Sequence, residues 1–273
     1  MIKWPALALL AGCCAPPSHL PAPQTPAAVA SKPTTTSVAI VAPPPANAGT
    51  IAPESADSRD AKDIALDAQR KPAQLMAFAQ IKPGMRVADL AAGTGYTTEL
   101  LARAVGPSGT VYAQNSPFIL QRFAAAPLQA RLEKPIMARV TPVESEFDQP
   151  LPGIGDLDAA LMVLFYHDTV WFGTDRAAMN RAIFDALKPG GSFVVVDHSA
   201  RPEDGLSKAQ SLHRIAENIV VQEVSAAGFV LDEKADFLRE SDDPRDWDAS
   251  PSGAGLRRGQ SDRFVLRFVK PSP

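Results

Sequence analysis

Between residues 57 and 269, short apolar runs rich in β-branched residues alternate with longer stretches in which apolar side chains recur at helical spacing. From 57 to 80, Ile64, Leu66, Leu75, Met76 and Phe78 stand among charged residues and predict helices interrupted near Pro72. The segment IKPGMRVADL predicts a turn at Pro83 and Gly84 feeding a buried strand over 86–90. A helix over 97–104 is stopped by Gly106 and Pro107, and a second strand follows at 110–113. Further strands are expected near 138–143, 157–164, 192–197, 230–234 and 264–269, with helices at 175–187 and 207–227. This alternation implies an α/β domain built on a doubly wound, mostly parallel sheet, with its ligand site beyond the carboxyl ends of the strands.

The first 56 residues carry a different pattern. Eleven of the 26 prolines fall in the first 53 positions, and Lys32 is the only charged side chain between Trp4 and Pro53. Such a segment has too little apolar surface to offset the entropy of ordering, so residues 13–56 read as an extended, disordered tether and 57–273 as one domain. At the extreme N-terminus, Lys3, the apolar run 6–10 and the sequence Leu10, Ala11, Gly12, Cys13 resemble the lipobox of bacterial lipoprotein signal peptides. The resemblance implies cleavage after Gly12, lipidation of Cys13 and a periplasm-facing anchor. With Cys14 rather than aspartate next, the outer membrane is favoured over the inner.

Charge and cysteine content narrow the chemistry. With 27 Lys and Arg against 30 Asp and Glu, the net charge is −3, which does not advertise a nucleic-acid surface. Both cysteines, Cys13 and Cys14, stand at the expected cleavage site and outside the domain, so the globular part has no disulfide, no thiolate nucleophile and no Cys-ligated zinc.

The most informative motif is VADLAAGTGY, residues 87–96, at the end of the first strand and opening into a helix. Glycine suits a turn where the backbone must reverse tightly and let a ligand approach the strand end. Together with RKPAQLMAFAQIKPGM before it, ALKPGGSFVVVDH at the fifth strand, AAGF before the sixth and SDRFVLRFVKP at the seventh, it resembles the class I S-adenosylmethionine-dependent methyltransferases, and more closely the predicted methyltransferases of the bacterial envelope. The resemblance implies a Rossmann-like sheet with an antiparallel last strand, S-adenosylmethionine as cofactor and a small-molecule acceptor. It implies that Asp89 and the backbone from Ala91 to Gly95 hold the amino acid end of the cofactor, with Gly93 and Gly95 lining it. Ala91 stands where the family usually has its first glycine. Asn115 stands where an acidic residue usually accepts both ribose hydroxyls, and Glu146 and Phe147 match the adenine contacts. The bland readings are that Asp89 caps a turn and Glu146 is a solvated loop carboxylate.

Three of the four histidines fall in the domain: His167 ends the fourth strand, His198 ends the fifth and His213 sits on the helix predicted over 207–227. Tyr166, His167, Asp168 and His198 are expected to floor an acceptor pocket, with a histidine taking the acceptor's proton and the protein chiefly holding nucleophile and methyl group in line. His167, Asp168 and His198 are the candidate catalytic residues. A metal reading, in which His167, Asp168, Asp197 and His198 converge with His213 and Glu217 one helical turn apart, is the less favoured one, and no metal is assigned; His213 and Glu217 read equally well as an exposed helix pair. Arg201 and Arg263 read as surface arginines by default. The irregular segment 242–260, with Trp247, is long enough to be a lid.

Overall fold

The computed structural model describes residues 59–272. The expected signal peptide, the lipidation site Cys13 and the tether lie outside them.

The domain is built on one seven-stranded sheet in the order β3-β2-β1-β4-β5-β7-β6. Its strands are β1 (Arg86–Leu90), β2 (Thr110–Asn115), β3 (Val140–Glu144), β4 (Leu157–Val163), β5 (Leu187–His198), β6 (Val230–Ala235) and β7 (Arg263–Val269). The first five pair in parallel, and β7 runs antiparallel to both β5 and β6. The doubly wound, Rossmann-like sheet with an antiparallel last strand is therefore the observed fold.

Two apolar layers sandwich the sheet, because the strands at its centre are buried on both faces. Val87, Val111, Leu161, Val194 and Val265 pack with residues of α2 (Pro72–Phe78) and α3 (Tyr96–Val105). The alternate positions Ala88, Leu90, Met162, Val195 and Leu266 pack with α7 (Arg176–Ala186) and α9 (Glu217–Ala226). The break expected near Pro72 falls at Lys71, whose left-handed backbone ends α1 (Ala61–Arg70) and starts α2.

A buried ion network joins α1, α3 and the helical segment after β2. Arg131 donates to Asp63 of α1 and to Glu99 of α3, each at 2.5 Å, and Glu99 also takes Arg103 at 2.8 Å and Lys134 at 3.0 Å. Arg131 belongs to a helical segment the hydrophobic pattern leaves unassigned: α4 (Pro117–Ile119), a π turn over Leu120–Ala124, and α5 (Ala125–Leu132). A short helix, α6 (Asp168–Trp171), follows β4.

The continuous helix expected over 207–227 is instead two pieces, α8 (Ala209–Leu212) and α9. Between them His213 takes a left-handed conformation (φ 50°), and Ile215 forms a parallel bridge to Ser199 just past β5. Ile215 N–H donates to His198 O at 3.0 Å and Ala200 N–H to Ile215 O at 2.9 Å. These long-range bonds replace helical ones, so His213 and Glu217 are not a helix pair. The break delivers His213 to the end of β5.

The same break buries Arg214. Its guanidinium donates to Ser199 O (3.0 Å), Asp243 Oδ2 (2.7 Å) and Trp247 O (3.1 Å) and lies 4.6 Å from the centre of the Trp247 ring. The side chains of Arg214 and Asp243 are both fully buried, so the start of the 242–260 segment is pinned to the chain just past β5. Replacing Arg214 by leucine leaves a buried carboxylate without its cation, a loss on the order of 3–5 kcal/mol. Chemical denaturation of Arg214→Leu should show a destabilisation of that size, and limited proteolysis should cut within 242–260 before the wild type is cleaved.

Candidate functional site

The strand order reverses between β1 and β4, so the connections leaving these neighbours diverge and open a crevice at their carboxyl ends. The loop after β1 forms one wall. Three successive features force its shape: Ala91, Gly93 and Gly95 all have positive φ, at 53°, 56° and 86°. A side chain at Gly93 would meet no atom closer than 4.0 Å, so that position is an open approach to the backbone. Gly95 is constrained differently, since a Cβ there would stand 2.9 Å from Arg131 Cδ. Ala91 has the conformation of a glycine while carrying a methyl group.

The end of β2 clamps this loop. Ala91 N–H donates to Gln114 Oε1 at 3.0 Å, and Gln114 Nε2 donates to Ser145 O at 2.9 Å. Gly93 N–H donates to Asn115 Oδ1 at 2.8 Å, while Asn115 Nδ2 donates back to Gly93 O at 3.2 Å. Both polar groups of Asn115 are thus occupied by the loop, and the residue is fully buried. Arg131 Nε closes the far side on Thr94 O at 2.8 Å.

Asp89 lies beneath the loop, 2 % exposed, and accepts a 2.6 Å hydrogen bond from Thr98 Oγ1. Burial pushes its carboxyl up to about 7, against the opposing pull of the Thr98 hydrogen bonds and the charge of Arg70. A small cavity nearby is lined by Arg70, Tyr96, Thr97, Leu164, Val196 and Arg263, among others. Arg70 stacks on Tyr96, 4.6 Å from the ring centre, and makes no hydrogen bond among the described residues. Arg263 is 3 % exposed and donates only to the carbonyls of Gln69, Ser261 and Gly259. The default surface reading of Arg263 is therefore overturned, because a strand paired on both edges carries it inward. Arg201 is exposed and caps Pro244 O.

The histidines gather at the ends of β4 and β5. Asp197, fully buried, accepts from His167 N–H at 2.7 Å and faces His167 Nδ1 at 2.6 Å. His167 Nε2 stands 3.1 Å from Asp168 Oδ1 and 3.3 Å from His213 Nδ1, and His213 Nδ1 is itself 3.1 Å from Asp168 Oδ1. Burial opposes charging His167, but the charge of Asp197 and the bonds to Asp168 and Asp197 prevail and raise it to about 10. Although burial disfavours its charge too, Asp168 is held well below the usual carboxylate range by hydrogen bonds from His167 and His213. His198 behaves oppositely: burial, then the charge of His167, pushes it well below its ordinary value. Its Nδ1 pairs with Ser261 Oγ at 2.7 Å, while Nε2 makes no hydrogen bond among the described residues.

Of the residues expected in the site, Asp89, Ala91, Gly93, Gly95 and Asn115 converge on one loop, and His167, Asp168 and His198 on the neighbouring strand ends. Glu146 is exposed on the loop after β3, and Phe147 is buried, packing on Phe165 with ring centres 4.8 Å apart. Tyr166 does not floor a pocket. It is fully buried, with its hydroxyl donating to Glu223 Oε2 (2.9 Å) and accepting from Asn180 Nδ2 (2.8 Å), so it joins α7 to α9. Sequence reasoning did not single out Gln114, Thr98, Arg70 or Ser261. Arg70 and Ser261 stand in quoted stretches, RKPAQLMAFAQIKPGM and SDRFVLRFVKP, but neither stretch marks them out from its other residues.

The family model of protein-L-isoaspartate(D-aspartate) O-methyltransferases matches residues 61–143, from α1 through β3. The ubiquinone/menaquinone biosynthesis C-methyltransferase of Proteus mirabilis is 32% identical over 146 residues, which is 51% of this chain and 55% of that protein. The chain spans about half the length of the curated relatives it matches. Among solved structures, an S-adenosylmethionine-dependent methyltransferase from Aquifex aeolicus superposes with a TM-score of 0.54 at 15% identity, covering 75% of this chain and 93% of that one. The [4+2]-cyclase SpnF superposes with a TM-score of 0.53 at 16% identity, covering 76% and 82%. At these identities the superpositions speak to fold.

Two variants test the loop. Asp89 is raised in the folded state above its ordinary value of 3.8, so the unfolded chain loses that proton first and folding stability falls as pH rises from about 4 to about 7. In Asp89→Asn, which retains an acceptor for Thr98, denaturant midpoints followed over this range should lack that fall. Ala91→Gly should raise stability by about 1 kcal/mol, because it removes the left-handed strain of an alanine, and thermal melts would read the gain.

Proposed function

We propose that this chain, which has the fold of the class I S-adenosylmethionine-dependent methyltransferases, binds S-adenosylmethionine at the β1 loop and transfers its methyl group to a small-molecule acceptor. The observation that carries the reading is the open backbone approach at Gly93 in the loop that follows the buried acid Asp89. Asp89 suits the cofactor's ammonium, and the guanidinium of Arg70, facing the cavity without a hydrogen-bond partner among the described residues, suits its carboxylate. When bound, the cofactor supplies an electrophilic methyl group on a sulfonium. The protein's part is to align the acceptor with that methyl group and to take its proton. His198 is the group for the second task, since its Nε2 is available as an acceptor, whereas both ring nitrogens of His167 are engaged. His167 and Asp168 position the acceptor's end of the cleft.

A second reading, a ligand-binding module that kept the fold without the reaction, is favoured by one observation: Asn115 is closed onto Gly93 and offers the ribose no charged acceptor. Turnover separates the two, because a methylated product with any acceptor excludes the module.

A cation beside Asp89 favours its ionised form, so cofactor binding should release the Asp89 proton. Calorimetry of the full chain with S-adenosylhomocysteine should show affinity rising with pH, approaching tenfold per unit below about 7 and levelling above it. In Asp89→Asn the slope should vanish, and Arg70→Leu should weaken binding at least tenfold. No heat and no thermal shift at millimolar ligand would refute the reading.

The lipobox-like Leu10, Ala11, Gly12, Cys13 further supports a lipid-anchored, periplasm-facing protein, held to the membrane by acyl chains alone. Among the described residues no helix is long and apolar enough to cross a membrane. Cys13→Ser should move the protein from the membrane fraction to the soluble one, and mass spectrometry of the wild-type N-terminal peptide should find the acyl groups on Cys13.

A further inference from the structure

The three atoms His167 Nε2, His213 Nδ1 and Asp168 Oδ1 form a triangle with sides of 3.1, 3.1 and 3.3 Å. A divalent transition metal binds nitrogen and oxygen ligands at about 2.1 Å, so three facial ligands of an octahedron stand about 3.0 Å apart and three corners of a tetrahedron about 3.4 Å apart. The observed sides fall between these limits. The two nitrogens face each other at 3.3 Å and both face the same carboxylate oxygen, to which Trp171 Nε1 also donates at 2.9 Å. In a network of protons alone, the two nitrogens gain nothing from each other when each donates to Asp168. A cation at the centre gives all three atoms one partner.

The surroundings are those of a metal site. Asp197, fully buried, holds His167 Nδ1 at 2.6 Å, which fixes the ring and turns Nε2 toward the triangle, as a carboxylate behind a metal-bound imidazole does. His213 comes from a different part of the chain and arrives only because α8 is broken from α9 by the Ser199 to Ile215 bridge. The His213 and Asp168 side chains are 25% and 16% exposed, so the ligands reach solvent on one side and leave positions open there. His198 lies outside the triangle, with its Nδ1 engaged by Ser261.

We infer that His167 Nε2, His213 Nδ1 and Asp168 Oδ1 bind one divalent transition-metal ion of the zinc or iron(II) class, with coordination positions open on the solvent side. Two imidazoles and one carboxylate form a ligand set suited to these ions rather than to magnesium or calcium, which prefer oxygen alone. Binding displaces the proton on His167 Nε2, which leaves to solvent, while Nδ1 keeps its bond to Asp197.

The inference stands apart from the cofactor reading, since the metal is measured with no cofactor or acceptor present. The full chain, stripped with a chelator and dialysed, is titrated with Zn2+ by calorimetry and with Co2+ by visible absorption. Three variants are run beside it. His213→Asn keeps a residue that tolerates the left-handed backbone; Asp168→Asn keeps the size of the carboxylate; His198→Gln alters a neighbour outside the triangle. Circular dichroism and melting of the metal-free proteins establish that each is folded. Wild type and His198→Gln should bind one equivalent more than His213→Asn and Asp168→Asn. The Co2+ complex of the wild type should show ligand-field bands that both of those variants lack. Equal stoichiometry and equal spectra in wild type and folded His213→Asn would overturn the assignment, whatever is found for S-adenosylhomocysteine binding.

Discussion

One buried carboxylate organises the carboxyl edge of the sheet. Asp197, at the end of β5, accepts the backbone N–H of His167 and faces its ring, so it joins the loop after β4 to the neighbouring strand. It also takes His198 N–H at 2.8 Å. A carboxylate with no solvent exposure must find such partners or become neutral, and here their placement fixes the orientation of His167. Once His167 is set, Asp168 begins α6 within its reach, and Trp171, three residues further along that turn, braces Asp168. The histidine side of the cleft is thus built outward from Asp197, by bonds that hold loops rather than strands.

The β1-loop side is held together differently. The β1 loop receives no carboxylate from β2; two amides, Gln114 and Asn115, complete it by filling the backbone groups of Ala91 and Gly93. This makes the loop stiffer than its glycines alone would allow, and explains how Ala91 is kept in a conformation that alanine rarely adopts. The fold resembles that of methyltransferases and of a cyclase alike, so the fold does not choose between chemistries. The distinguishing information lies in Asp89, Arg70 and the histidine cluster.

How much could be read without the structure depended on whether a feature is local. The β1 loop was legible because a fully buried strand, an acid and two glycines stand within ten residues, and the order of strands followed from hydrophobic runs. Residues 207–227 misled because their periodicity is helical on both sides of a break caused by the bridge of Ile215 to Ser199, which sequence spacing does not encode. The burial of Arg263 depends on β7 inserting between β5 and β6, again a long-range fact. Tyr166 adjoins a histidine of the site, yet successive residues leaving a strand point in different directions, and its hydroxyl goes to Glu223 and Asn180. The roles of Asn115 and Gln114 were hidden for the same reason: a side-chain amide can serve a ligand or a loop, and only the fold decides.

The ion network around Arg131 has a mechanical meaning. Arg131 holds Thr94 O of the β1 loop with one nitrogen and Asp63 of α1 with another, and Tyr96, just past the loop, donates to Asp67 of α1 at 2.7 Å. Asp67 in turn pairs with Arg59. The first helix of the domain is therefore coupled directly to the loop through these side chains, beside the bond that Arg263 of β7 makes to Gln69 O. A shift of α1 is thereby passed to Thr94 and Tyr96, on either side of Gly95, without having to travel through β1.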